Sequence, residues 1–109
     1  MKIKDICREL DLEIHSEGDP EREIEGAIVG DLLSHILGEA RENWLWITIQ
    51  IHLNVSAVAV LKELPLVVLS SGRTPNEDLA AKCREENITL TTSRLSSYEL
   101  CCRLCRLGI

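Results

Sequence analysis

The sequence predicts an α/β domain of three layers, α/β/α, with helices on both faces of a mainly parallel four-stranded sheet. Three observations lead there. Strand-like apolar runs alternate with helix-like stretches along most of the chain. The runs Trp44 to Gln50 and Leu66 to Leu69 are nearly continuous in apolar residues, as strands covered on both faces are. Helices of ordinary length separate the runs, and right-handed crossovers through such helices place successive strands in parallel.

The elements follow in order. Ile3, Ile6, Cys7 and Leu10 recur at i, i+3, i+4 and i+7, the apolar stripe of a short helix. Leu12 to His15 is extended and leads into the turn Glu17-Gly18-Asp19-Pro20. Ile24 to Gly30 is the first core strand, and Asp31 is expected to cap a helix reaching about Leu37, with Gly38 at its end. Trp44 to Gln50 is the second strand, and Leu53 to Leu64, apolar on most sides, is a helix that ends at Pro65. Leu66 to Leu69 is the third strand. Thr74-Pro75-Asn76-Glu77 combines an N-cap, a first-turn proline and a capping-box glutamate, so a helix is expected to about Glu86, with Asn87 left-handed after it. Ile88 to Thr91 is the fourth strand. Ser96-Ser97-Tyr98-Glu99 repeats the capping-box pattern and opens a last helix running nearly to Gly108.

With 109 residues, 45% of them hydrophobic, one domain over residues 1–109 with one core is expected. Twelve Lys and Arg against 18 Asp and Glu give a net charge of −6, and no basic block occurs. A nucleic-acid or anionic-membrane surface needs such a block, so neither partner is expected. Met1 to Asp5 leads into a mixed polar pattern, so neither a signal peptide nor a membrane span is expected. Five cysteines at irregular spacing fit reduced thiols in a cytoplasmic protein.

No phosphate-cradling P-loop, dinucleotide glycine fingerprint or nucleophile elbow occurs. His15, His35 and His52 stand in no evident triad, so no catalytic residue is assigned and the protein is not expected to be an enzyme. Tyr98, Cys101, Cys102 and Cys105 form an i, i+3, i+4, i+7 stripe expected to pack on the sheet; a thiol or metal-binding role for these cysteines is the less favoured alternative. Neither metal nor cofactor is assigned. Leu100, Leu104 and Leu107 form a second stripe on the same helix, which either pairs two copies into a homodimer or is covered by Ile3, Ile6 and Leu10 of the first helix.

Ligands of parallel sheets bind beyond the carboxyl ends of the strands. Those ends carry Asp31; Gln50, His52 and Asn54; Ser70, Ser71, Gly72 and Arg73, followed by Thr74; and Thr91, Thr92 and Ser93, followed by Arg94. Hydroxyls, amides, a glycine, a histidine and an arginine suit a small polar or anionic ligand, with Arg73 beside Gly72 the anion contact. The alternative is that these residues only cap helices and face water.

Gly30-Asp31-Leu32-Leu33-Ser34, Leu45 to Asn54, Leu69-Ser70-Ser71-Gly72-Arg73-Thr74-Pro75, and Ile88 to Ser93 with the closing helix carry a resemblance to the DRTGG-domain family. The likeness spans Gly26 to Leu107 and is nearest to small stand-alone members, described as HPr serine kinase-like regulators and encoded near hydrogenase genes. The family's fold is similar to the N-terminal domain of HPr kinase, whose catalysis belongs to a separate P-loop domain. The string that names the family is absent; Ser70-Ser71-Gly72-Arg73-Thr74 stands nearest to it. The resemblance implies a non-catalytic regulatory or ligand-sensing domain, acting as an oligomer or on a partner enzyme that is hydrogenase-associated or phosphotransfer-related. A pure interaction module is the alternative.

Overall fold

In the computed structural model, which describes residues 1–109, the first apolar stripe forms α1 (Ile3–Glu9). After it come β1 (Glu13–Ser16), β2 (Gly26–Val29), α2 (Leu33–Glu39), β3 (Trp44–Thr48) and α3 (Asn54–Leu61). The remainder is β4 (Leu66–Leu69), α4 (Glu77–Glu85), β5 (Thr89–Thr92) and α5 (Ser97–Arg106).

The sheet has five strands in the order β1-β5-β4-β3-β2 rather than four. From β2 to β5 all neighbours are parallel, and β1 joins β5 antiparallel at the edge. The extended segment Leu12 to His15 carries no apolar run, so nothing in it marks a core strand. Its place is decided by polar contacts: Ser16 Oγ donates to Ile88 O at 2.8 Å, and His15 Nε2 lies 3.0 Å from Thr92 Oγ1.

Alternation along the parallel strands builds two cores. Trp46, Val67, Leu69 and Leu90 meet Ile36 and Ala40 of the α2 segment, Val55, Val58 and Ala59 of α3, and Leu79, Ala80 and Cys83 of α4. Leu45, Ile47, Leu66 and Val68 point to the other face and meet Ile3, Ile6 and Cys7 of α1 and Leu100 and Leu104 of α5. No helix is long and apolar enough to cross a membrane.

Several local expectations change. Asp31 does not cap α2; its N-cap is Leu32, without a side-chain bond, and Gly38 lies inside the helix. Thr74 does not cap α4 either, because Asn76 holds that position and no side chain bonds there. Glu99, by contrast, does close a capping box with Ser96 on α5, and Asn87 is left-handed at φ 58°. On α5 the two stripes exchange roles. Leu100 and Leu104 are buried, whereas Tyr98 is 76% exposed and Cys105 also faces solvent. A capping box sets where a helix begins but not which way it rolls. Burying leucine gains about 1.5–3 kcal/mol, more than a small thiol offers, so the leucines face the sheet. The first helix therefore covers the leucine stripe within one chain, where Leu104 is 3% exposed.

Candidate functional site

The carboxyl ends of the parallel strands carry two separate groups of polar residues. At the ends of β2 and β3, the Asp31 carboxylate accepts from Thr48 Oγ1 at 2.8 Å and from the Ile49 N–H at 2.8 Å. Gln50 Nε2 donates to the Asp31 carbonyl at 3.0 Å. His52 Nδ1 lies 2.9 Å from Asn76 Nδ2, tying the starts of α3 and α4 together. Asn54 is the exposed first residue of α3. Asp31, Gln50 and His52 are thus occupied in holding loops to one another.

On the β4–β5 side the backbone builds a cleft. Ser71 and Gly72 are both left-handed, at φ 62° and 69°. Their N–H groups donate to Leu95 O at 2.8 Å and Ser93 O at 2.9 Å, clamping the loop after β4 to the loop after β5. Ser70, fully buried, shares a 2.7 Å hydrogen bond with Ser97 Oγ at the start of α5. Thr91 is buried and donates to Val67 O at 3.1 Å, so it lies within the sheet rather than at a site. Ser93 Oγ accepts the Leu95 N–H at 3.1 Å and shapes the second loop.

The cleft between these loops, the end of α1 and the start of β1 encloses about 750 Å³. Gly72, Arg73 and Thr74 form one wall, Thr92, Ser93, Arg94 and Leu95 the floor, and Arg103 of α5 one end. Leu10, Asp11, Glu13 and His15 close the opposite side. Arg73, Arg94 and Arg103 are exposed, and none pairs with a carboxylate within 4.0 Å. Elsewhere, Lys2, Lys4, Arg8, Lys82 and Arg84 have acidic partners, whereas Arg22, Arg41, Lys62 and Arg106, scattered outside the hollow, have none. In a chain of net charge −6, three guanidinium groups and two carboxylates, Asp11 and Glu13, line one hollow, which leaves it a small formal positive charge. Each guanidinium offers a planar fork of N–H donors that matches phosphate or carboxylate oxygens.

Of the residues expected at a site, the cleft gathers Gly72, Arg73, Thr92 and Ser93. Asp31, Gln50, His52 and Asn54 stand outside it, and Ser70, Ser71 and Thr91 support its walls. The cleft also takes in His15, Arg94 and Arg103. Arg94 closes the strand-end string Thr91 to Arg94 that the sequence marks. Arg103 lies mid-helix, and His15 arrives through the antiparallel β1; no sequence signal marks either. No group of three His, Cys, Asp or Glu side chains is arranged to hold a metal ion.

Fold and cleft together define a mostly parallel α/β domain with a basic hollow at the carboxyl ends of its strands. Among solved structures it is similar to the CBS and DRTGG domains of the regulatory region of Clostridium perfringens pyrophosphatase, complexed with its activator diadenosine tetraphosphate. The TM-score is 0.76 at 16% identity, over 94% of this chain and 45% of that one, so this chain spans less than half of that region. The domain shares the fold of a part of that CBS and DRTGG region, in agreement with the resemblance carried by its strand-end strings. No family model matches the sequence, and no curated protein is similar to it.

Proposed function

We propose that the protein is a non-catalytic regulatory domain that senses a small anionic ligand in the cleft between the β4–α4 loop, the β5–α5 loop and β1. The observation that carries this reading is the convergence of Arg73, Arg94 and Arg103, each without a carboxylate partner, beside the hydroxyls of Thr92 and Ser93. The similar fold belongs to a regulatory region that binds a nucleotide activator, which supports a sensing role. The resemblance to the DRTGG family supports a partner enzyme, hydrogenase-associated or phosphotransfer-related, as the recipient of the signal. The solvent-facing thiol of Cys105 suits a reducing cytoplasm.

A thermal-shift screen against inorganic anions, nucleotides and phosphorylated metabolites tests the reading. A ligand at about one hundred times its Kd stabilises the fold by about 2.7 kcal/mol and raises the melting temperature visibly. The shift is expected to disappear in Arg73→Gln/Arg94→Gln. Uniform silence across the screen, or a shift indifferent to both arginines, would sink the proposal.

A second reading concerns self-association, and one surface favours it. Helix α3 is apolar nearly all round, yet Leu53, Val60 and Leu61 are 45%, 43% and 72% exposed. Such a helix is ordinarily covered. Lys82 and Glu86 of α4 flank this face. A second copy related by a two-fold axis would bring these apolar side chains together. Light scattering should give a homodimer that Leu61→Glu converts to a folded monomer; a monomeric wild type would refute it.

A further inference from the structure

The cleft carries acid as well as base, and the two do not meet. Asp11 and Glu13 line the same hollow as Arg73, Arg94 and Arg103. An exposed pair of opposite charges stabilises little, so such groups stay available to a ligand. Here no arginine nitrogen of the cleft lies within 4.0 Å of either carboxylate. Asp11 makes no side-chain hydrogen bond or ion pair at all, and Glu13 approaches only His15, at 4.0 Å. The two sets stand on different elements. Asp11 follows α1 in a left-handed conformation, φ 52°, and Glu13 begins the edge strand, whereas the arginines stand on the two clamped loops and on α5.

A simple inorganic anion gains from the arginines and is repelled by the carboxylates. A ligand with an anionic group at one end and hydroxyl donors at the other gains from both, because a carboxylate accepts two hydroxyl hydrogen bonds at full charge. Ser71 and Gly72 spend their N–H groups on Leu95 O and Ser93 O, which leaves the N–H groups of Thr74 and Arg94 as the unbonded loop amides of the lining. The arginine side chains beside them carry the charge, and their forks fit a tetrahedral phosphate. Resting on the anion-sensing reading above, we infer that the ligand of this cleft is a phosphate ester of a polyhydroxylated sugar, its phosphate held by Arg73, Arg94 and Arg103 and its hydroxyls by Asp11 and Glu13.

Calorimetric titration of the full chain with inorganic phosphate, pyrophosphate, ribose 5-phosphate, AMP and adenosine tests this. Ribose 5-phosphate or AMP should bind at least about tenfold more tightly than inorganic phosphate and pyrophosphate, and adenosine should not bind detectably. Arg94→Gln should weaken the sugar phosphates by about tenfold or more. The paired substitution Asp11→Asn/Glu13→Gln should narrow the gap from both sides, weakening ribose 5-phosphate and strengthening pyrophosphate. Circular dichroism confirms folding of each variant. If pyrophosphate binds as well as ribose 5-phosphate, or the paired substitution strengthens both alike, the sugar-phosphate assignment falls while anion sensing stands. If no phosphate compound binds, or Arg94→Gln leaves all affinities unchanged, both fall.

Discussion

The carboxylate of Asp31 lies 2.8 Å from the hydroxyl of Thr48, and this bond fastens the loop after β2 to the last residue of β3. Thr48 is fully buried, and its hydroxyl also accepts the Gln50 N–H at 3.2 Å. Removing the carboxylate leaves a buried donor and the Ile49 N–H without their acceptor. Asp31→Ala should cost about 1–3 kcal/mol, and Asp31→Asn less, since an amide oxygen can still accept. Urea unfolding followed by the fluorescence of Trp44 and Trp46 checks this. Ligand affinity of the arginine cleft should be unchanged, because Asp31 does not line it.

Leu104 joins α5 to the core formed with α1. Leu104→Ala should destabilise by about 2–5 kcal/mol through lost burial and a cavity. Leu104→Glu should unfold the domain rather than dissociate a dimer, as circular dichroism and light scattering together will show. A folded monomer from that substitution would mean that the leucine stripe faces a partner after all.

The thiols should divide by burial. Cys105 is exposed and Cys101 and Cys102 are half-buried, whereas Cys7 and Cys83 are buried. A bulky aromatic disulfide reagent should modify Cys105 first, then Cys101 and Cys102, and the last two only with global unfolding. Peptide mapping of partly labelled protein establishes the order. Burial also pushes the Cys101 thiol up, so it should react more slowly than its exposed neighbour at neutral pH.

Alkaline stability follows from the same burial. The Cys7 and Cys83 thiols are pushed up to about 11 from an ordinary 9.0, chiefly because an apolar interior disfavours the thiolate. Their contribution is whole below about pH 9, where both states keep the proton. Above it the unfolded chain releases protons that the fold retains, and stability drops until pH passes about 11. The slope is at most about 1.4 kcal/mol per pH unit for each thiol. Urea midpoints between pH 8.5 and 10.5 should fall less steeply in Cys7→Ala/Cys83→Ala.

At the acid end, hydrogen bonds from Lys2 and Lys4, at 2.8 and 2.7 Å, hold the Glu21 carboxyl down to about 2. Stability from this group is present above its ordinary 4.5 and is lost as pH falls toward 2. The group is exposed, so screening keeps the effect small. Glu21→Gln should flatten the acid limb of the stability curve slightly, and added salt should do the same to the wild type.

Local chemistry in the chain determined most of the elements. The spacing of Ile3, Ile6, Cys7 and Leu10 makes α1, the uninterrupted apolar runs make buried parallel strands, and Ser96 with Glu99 makes the start of α5. These signals act over a few residues, and a single chain displays them. Tertiary structure decided what depends on competition between distant groups. Whether leucines or cysteines of α5 face the sheet was settled by α1, which offers Ile3 and Ile6 to whichever stripe buries more apolar surface. Asp31 left its capping position because Thr48 and Ile49, from the next strand, offer it two donors. Gln50 and Arg73 look equivalent at two strand ends, yet the sheet order sends one to a loop bond and the other to a cleft. Arg103 and His15 join that cleft across separations of 30 and 58 residues from Arg73, because sheet edge and helix packing bring them there. Propensity is a property of neighbours in sequence, whereas a binding hollow is a property of surfaces that meet only once the chain has folded.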